Sequence, residues 1–147
     1  FSPRDGRDWP TPGNAIFGPK VMIANQFAGS GGDMFPWLFK HKKVGTLVGK
    51  RTWGGLVAAA SFPTIDGGEI NSPNVAFYNV QEGKWDVEGH GVDPDIDVEL
   101  DPYLWRQGKD AQLERAIEEI NKSLKTYKSP VLHRPANPDK TKVGVRF

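Results

Sequence analysis

The stretch that decides the fold runs from Lys20 to Lys42. Lys20-Val21-Met22-Ile23-Ala24 is a short, nearly continuous apolar run, the pattern of a strand buried on both faces. Asn25 to Asp33 breaks it with Gly29, Gly31 and Gly32. Met34 to Lys42 then puts Met34, Trp37 and Leu38 on one helical face, with Phe35 and Phe39 beside them. Pro36 falls early enough in this helix to occupy its first turn, where a missing N–H costs little. Strand, glycine turn and helix in that order point to an α/β domain.

Outward from this unit, Val44 to Val48 is a second short strand candidate, and Lys50 to Gly55 makes another glycine-containing turn. Leu56 to Phe62 is apolar and ends before Asp66-Gly67-Gly68, a strong turn signal. Glu69 to Val80 and Trp85 to Glu88 read as strands separated by the Gln81–Lys84 turn. From Val92 to Leu100 the chain alternates, with Val92, Pro94, Ile96, Val98 and Leu100 apolar and Asp93, Asp95, Asp97 and Glu99 acidic, which predicts one inward and one wet strand face. After Asp110, a good N-cap, Leu113, Ala116, Ile117, Ile120 and Leu124 repeat as the apolar stripe of an amphipathic helix. The prolines and glycines of residues 1–19 mark an irregular lead-in, and Pro130, Pro135 and Pro138 among basic residues mark a tail. The expected organisation is therefore 1–19 lead-in, 20–128 folded domain and 129–147 tail, the last reading as a solvated arm or oligomer contact.

With 147 residues the chain suits one core. Nineteen basic against 18 acidic residues leave a net charge of +1, which gives no general attraction to nucleic acid or to an anionic membrane surface. No apolar run approaches the roughly 20 residues of a membrane-spanning helix. The absence of Cys removes disulfides, zinc–thiolate sites, iron–sulfur clusters and a cysteine nucleophile, and is compatible with a cytoplasmic or a periplasmic location alike. A start at Phe1, without Met, reads as a piece of something longer.

The strongest candidate site is Ala28-Gly29-Ser30-Gly31-Gly32-Asp33. A serine nucleophile must project from a sharp turn and needs backbone N–H groups aimed at the oxyanion formed in acyl transfer. A strand entering a glycine turn at a helix N-terminus offers these conditions, with the positive end of the helix dipole added. The alternative is that Ser30 only caps the helix. The Gly-x-Ser-x-Gly elbow is nearly met, with Ala28 in the first position. None of His41, His90 and His133 has a context that marks it as the base. Two further patterns stay open: the acidic ladder as a Ca²⁺ site or, more simply, a solvated strand face, and Trp53-Gly54-Gly55 as cleft wall or core filling.

Three separated motifs resemble the C-terminal catalytic half of tricorn-type serine proteases, relatives of the tail-specific (carboxy-terminal processing) peptidases. They are Ser30-Gly31-Gly32-Asp33-x-Phe35-Pro36, Gly49 to Gly55, and Val87 to Ile96, in that order. The resemblance extends from about Lys20 to about Leu124 and takes in the helix after Asp110. It implies a Clp/crotonase-like α/β domain that hydrolyses peptide bonds through an acyl-enzyme on Ser30, with Gly31 donating an oxyanion N–H. It also implies that Glu88 belongs to the charge network behind the catalytic histidine. No cofactor or metal is expected.

The family's general-base histidine lies upstream, before an intervening PDZ domain or in the first catalytic segment, so the resemblance implies that an upstream segment of the same parent protein completes the site. The substrate would be a peptide or unfolded chain, the assembly a homo-oligomer, and the isolated chain inactive. The family's specificity acid has no clear counterpart here, with Asp5 and Asp8 candidates only by proximity. Two other readings remain at this point. One is a non-catalytic peptide-binding or oligomerisation module of a degenerate protease. The other is an acyl-CoA-handling relative of the crotonase type, against which the Ser30 turn argues.

Overall fold

The computed structural model describes residues 1–137, 139 and 141. The chain divides into two compact units, Pro19–Thr126 and the two flanks together, Phe1–Gly18 with Tyr127–Phe147. Lys140, Lys142 and Arg146 of the basic tail lie outside the described residues.

In the larger unit, β1 (Val21–Ala24), α1 (Gly31–His41) and β2 (Thr46–Gly49) form a crossover that brings β1 and β2 side by side in parallel, Val21 opposite Thr46 and Ala24 opposite Gly49. α1 begins at Gly31, three residues before the expected Met34, because Asp33 accepts a backbone N–H at the helix start and lets both glycines join the first turn. Pro36 is consequently the sixth helical residue and not a first-turn one, so the Gly32 carbonyl loses its helical donor.

After β2 comes a long antiparallel hairpin, β3 (Val57–Pro63) with β4 (Glu69–Ala76), whose register shifts at Ala58/Ala59. Nearly all its residues are exposed, among them Phe62, Ile65, Ile70 and Val75. A small hairpin of β5 (Tyr78–Asn79) and β6 (Lys84–Trp85) follows, with Tyr78 and Trp85 edge to face. β7 (Ile96–Asp97) then lies parallel to β2 and completes a three-stranded sheet in the order β1-β2-β7.

The alternation from Val92 to Leu100 therefore yields only two ladder residues. Pro94 has no N–H to give, and Val92 is bound sideways to Thr52, not to β2. Asp95 replaces a ladder bond with its side chain, accepting the Leu47 N–H on Oδ2 at 2.8 Å. The acidic residues are paired with cations: Asp95 with Lys40 at 3.0 Å, Asp97 and Glu99 with Lys50 at 2.7 and 3.3 Å. Asp97 first, then Glu99, holds the Lys50 ammonium above its usual pKa.

A one-turn helix, α2 (Pro102–Trp105), is capped by Asp101, and α3 (Ala111–Thr126) packs on β1 and β2. The buried line of α3 runs through Gln112 and Ala116, while Leu113, Ile117 and Leu124 of the expected stripe remain about half exposed. Gln112 sets this rotation by donating from Nε2 to the Val98 carbonyl at 2.9 Å. The core beneath consists of Ala24, Leu47, Leu56, Val87 and Val92, with Met22, Met34, Trp37 and Phe77 against it. It lies directly under the turns that carry the candidate residues.

The smaller unit has no helix or strand among its described residues. Phe1 stacks on Trp9, and Arg134 donates to the Pro3 carbonyl at 2.7 Å and approaches Asp8 at 3.8 Å.

Candidate active site

Ser30 follows β1 through a tight turn and stands at the N-cap of α1 with its side chain exposed. Its backbone lies at φ 55°, ψ −111°, a region that glycine tolerates and serine does not, at a cost of about 1–3 kcal/mol. Two acceptors hold it there. The Ser30 N–H donates to the Gly55 carbonyl at 3.1 Å and to Asp33 Oδ2 at 2.8 Å. Ser30 and Asp33 are arranged as a capping box, and the Ser30 residue remains exposed. Of the neighbouring amides, Gly32 donates to Gly29, and Asp33 and Met34 both donate to the Ser30 carbonyl. The Gly31 N–H has no acceptor among the described residues, and a Cβ placed on Gly31 would meet nothing within 4 Å. An exposed hydroxyl thus stands next to an unengaged amide at the positive end of an 11-residue helix.

Asp33 closes the candidate stretch in the sequence, which assigns it no role. It is fully buried, and its carboxylate accepts three backbone N–H groups: Ser30 and Gly55 on Oδ2, the latter at 3.0 Å, and Gly54 on Oδ1 at 2.8 Å. The Ser-x-x-Asp spacing of a capping box was the available signal for its local bond. Nothing in one sequence pairs Asp33 with Gly54 and Gly55.

Residues 52–56 form a strap between the Ser30 turn and the loop that carries Glu88. On one side Trp53 N–H donates to the Ala28 carbonyl, in addition to the Ser30–Gly55 bond. On the other, Thr52 and Val92 are joined twice, by Thr52 N–H to the Val92 carbonyl and by Val92 N–H to Thr52 Oγ1 at 2.8 Å. Gly89 N–H donates to the Gly54 carbonyl, and Leu56 N–H donates to Glu88 Oε2. Gly54 has φ +86°, and a Cβ there would lie 2.5 Å from the Gly91 nitrogen, so no other residue fits between the two loops.

The Gly55 carbonyl and the Leu56 N–H belong to one peptide group. Ser30 holds its oxygen and Glu88 holds its N–H, so the structure brings the two residues to opposite edges of a single plane. Val87, the residue before Glu88, is a second outlier at φ 72°, unusual for a β-branched side chain. It is buried, and Asp86 fixes it by taking the Val87 N–H on Oδ1 and the Trp37 indole N–H on Oδ2. Strained backbone at both Ser30 and Val87 is the pattern that functional sites maintain.

Trp53 is 70% exposed, which removes core filling as its role. Its ring lies against Gly29 and Gly55, where an added Cβ would come within 2.5 and 2.6 Å of it. Beside Gly31 an open, largely apolar pocket of about 340 Å³ is bounded by Met22, Ile23, Ala28, Phe35 and Pro36. Among the described residues of the larger unit, neither His41 nor His90 bonds to Ser30. His41 stacks on Trp37, His90 Nε2 meets Asp93 Oδ2 at 2.8 Å on the surface, and His133 is in the smaller unit.

Residues 4–98 match the profile of peptidase family S41. The chain is 44% identical to the tricorn protease of Thermoplasma volcanium over 128 residues, 86% of this chain and 12% of the relative. It is 37% identical to the tricorn protease of Thermoplasma acidophilum over 136 residues, 92% and 13% respectively. A crystal structure of the tricorn protease superimposes with a TM-score of 0.75 at 38% identity, covering 86% of this chain and 12% of that one. A CPAF structure, 21% identical with a TM-score of 0.53 over 78% of this chain and 22% of its own, shares the fold alone. The chain thus spans only 12–13% of the length of these curated relatives.

Proposed function

This chain belongs to peptidase family S41, and on that premise we propose that it is the C-terminal catalytic portion of a tricorn-like serine endopeptidase, a Clp/crotonase-like domain with Ser30 as nucleophile. The observation that carries this is the pairing of an exposed serine at φ 55° with the unengaged, uncrowded Gly31 N–H at a helix N-terminus.

In this reading Ser30 Oγ attacks the carbonyl carbon of a peptide bond and gives its proton to a histidine supplied by an upstream segment of the parent protein. The carbonyl oxygen becomes an oxyanion that accepts the Gly31 N–H, a donor already in place and needing no rearrangement as charge develops. Collapse of the tetrahedral intermediate expels the amine, which takes the proton back from the imidazolium, and water then hydrolyses the acyl-serine. Glu88 orients the base and stabilises the imidazolium. Its Oε2 is committed to Leu56 N–H, which leaves Oε1 for the group next in line. The substrate is a peptide or an unfolded chain. Exposed apolar side chains on the β3–β4 hairpin and along α3 support the expectation that other parts of the parent, or further copies in a homo-oligomer, cover these faces.

The test is hydrolysis of a fluorogenic peptide set by the intact parent, by its Ser30→Ala form and by this chain alone. The expected result is activity in the intact protein and none in the other two. Activity retained by Ser30→Ala would move the nucleophile elsewhere and refute the assignment.

A further inference from the structure

We propose that Asp33 is a positioning residue for acyl transfer, the group that holds the nucleophile turn in its reactive shape and locks that turn to the strap on which Glu88 rests. The inference rests on Ser30 being the nucleophile.

An acid at the third position of a helix ordinarily sits at the surface and takes one amide from its own N-cap. Asp33 does that and two things more. It is fully buried, and it takes the N–H groups of Gly54 and Gly55, 21 and 22 residues away in sequence. A carboxylate removed from water needs its oxygens satisfied, and here they are satisfied by three backbone amides at the positive end of α1.

Two consequences follow for the reaction. First, the backbone of Ser30 stays at φ 55° because its N–H is pinned from two directions, by Asp33 Oδ2 and by the Gly55 carbonyl. Asp33 also fixes the Gly55 N–H, so it governs the second of those acceptors as well as the first. Without it the serine is free to relax towards ordinary helix-cap angles, carrying the Gly31 N–H with it. Second, with Gly54 and Gly55 held, the next amide in line, Leu56 N–H, is presented to Glu88. Two carboxylates thereby hold three successive amides, and Asp33 sets the geometry of both ends of the site without touching a substrate.

The experiment compares the intact protein with its Asp33→Asn form, in which one acceptor oxygen becomes an NH₂ facing backbone donors. Four quantities are read: kcat and KM on a fluorogenic peptide, the rate at which a fluorophosphonate labels Ser30, and peptide affinity in a Ser30→Ala background with and without Asp33→Asn. A displacement of about 1 Å at the reacting group costs on the order of 100-fold. The expected result is therefore a fall of that size in kcat and in labelling rate together. KM and the Ser30→Ala affinity should remain within about twofold. A folded Asp33→Asn protein with unchanged kcat and labelling would overturn the inference, as would a loss confined to KM.

If Asp33→Asn does not fold, hydrogen exchange of the unmodified protein decides. The Ser30, Gly54 and Gly55 amides should exchange as one unit, and unrelated rates would overturn the inference. An active, unlabelled Ser30→Ala protein would instead remove the nucleophile assignment itself. A silent Ser30→Ala with an unaffected Asp33→Asn would remove only the role of Asp33.

Discussion

Replacing Ser30 by Gly and by Ala separates strain from chemistry. Both variants lack the hydroxyl, so neither can act as a nucleophile, and they differ only in a methyl group at φ 55°, ψ −111°. Alanine retains the steric penalty of that region, about 1–3 kcal/mol, and glycine does not. Two other terms also separate Gly from Ala: the N-cap preference for Gly, and the greater entropy of Gly in the unfolded chain. Asp101 supplies the control, since it caps α2 at an ordinary φ of −75°. Subtracting the Asp101→Ala/Asp101→Gly difference from the Ser30→Ala/Ser30→Gly difference cancels both common terms and leaves the strain, about 1–3 kcal/mol in favour of Gly at position 30. Urea unfolding of the 147-residue chain reads this directly. With a slope of about 1.5 kcal/mol/M, the Gly form should outlast the Ala form by about 0.7–2 M more at position 30 than at position 101. Equal differences at the two sites would mean that Ser30 is not strained, and the case for a stressed nucleophile turn would fall.

Thr52→Val should destabilise the chain by about 1–3 kcal/mol, because it leaves the buried Val92 N–H without its acceptor; Thr52→Ser should restore most of that loss, and equal melting of all three forms would contradict it. Glu88→Gln keeps an oxygen for the Leu56 N–H but removes the charge, so fold and substrate affinity should hold while kcat of the intact protein falls on the order of 100-fold or more; an unaffected kcat would take Glu88 out of the charge network. Gly55→Ala should drive the Trp53 ring off its seat, since the new Cβ would lie 2.6 Å from it, and shift tryptophan emission; adding Trp53→Ala should abolish that shift, and a shift that persists would assign it to another tryptophan. Lys50 should titrate above 10.5, so the support it draws from Asp97 and Glu99 is whole below that pH and lost as pH rises through the elevated value; NMR of Asp97→Asn should move the titration down, and no movement would deny the pair.

How far the sequence reached can be seen residue by residue. The β1–turn–α1 unit was legible because an apolar run, three glycines and a helical face follow one another locally. The start of α1 was misplaced because glycines read as turn, whereas a buried carboxylate at Asp33 recruits them into the helix. The strand expected from Val92 to Leu100 shrank to Ile96–Asp97 because the Val92 N–H goes to Thr52, Pro94 has none, and the Asp95 side chain takes the Leu47 N–H, a matter of tertiary bonding that period-two alternation does not encode. Local turn chemistry and a family resemblance nominate Ser30, Gly31 and Glu88, and their roles rest on the proposal above. Asp33 closes the candidate stretch without a role, because what distinguishes it, complete burial against two distant glycines, exists only once the strap has folded over it.

The peptide group between Gly55 and Leu56 has a mechanical consequence. A peptide unit is a stiff plate, with its carbonyl and its N–H pointing to opposite sides. Ser30 grips one side and Glu88 the other, so the plate works like the beam of a balance. A tilt that draws the oxygen towards Ser30 turns the N–H away from Glu88, and a load placed on the serine is registered at the glutamate with no loop having to travel. A covalent adduct on Ser30 should therefore be visible as a chemical-shift change at the Leu56 amide, a report from a position the adduct itself never touches.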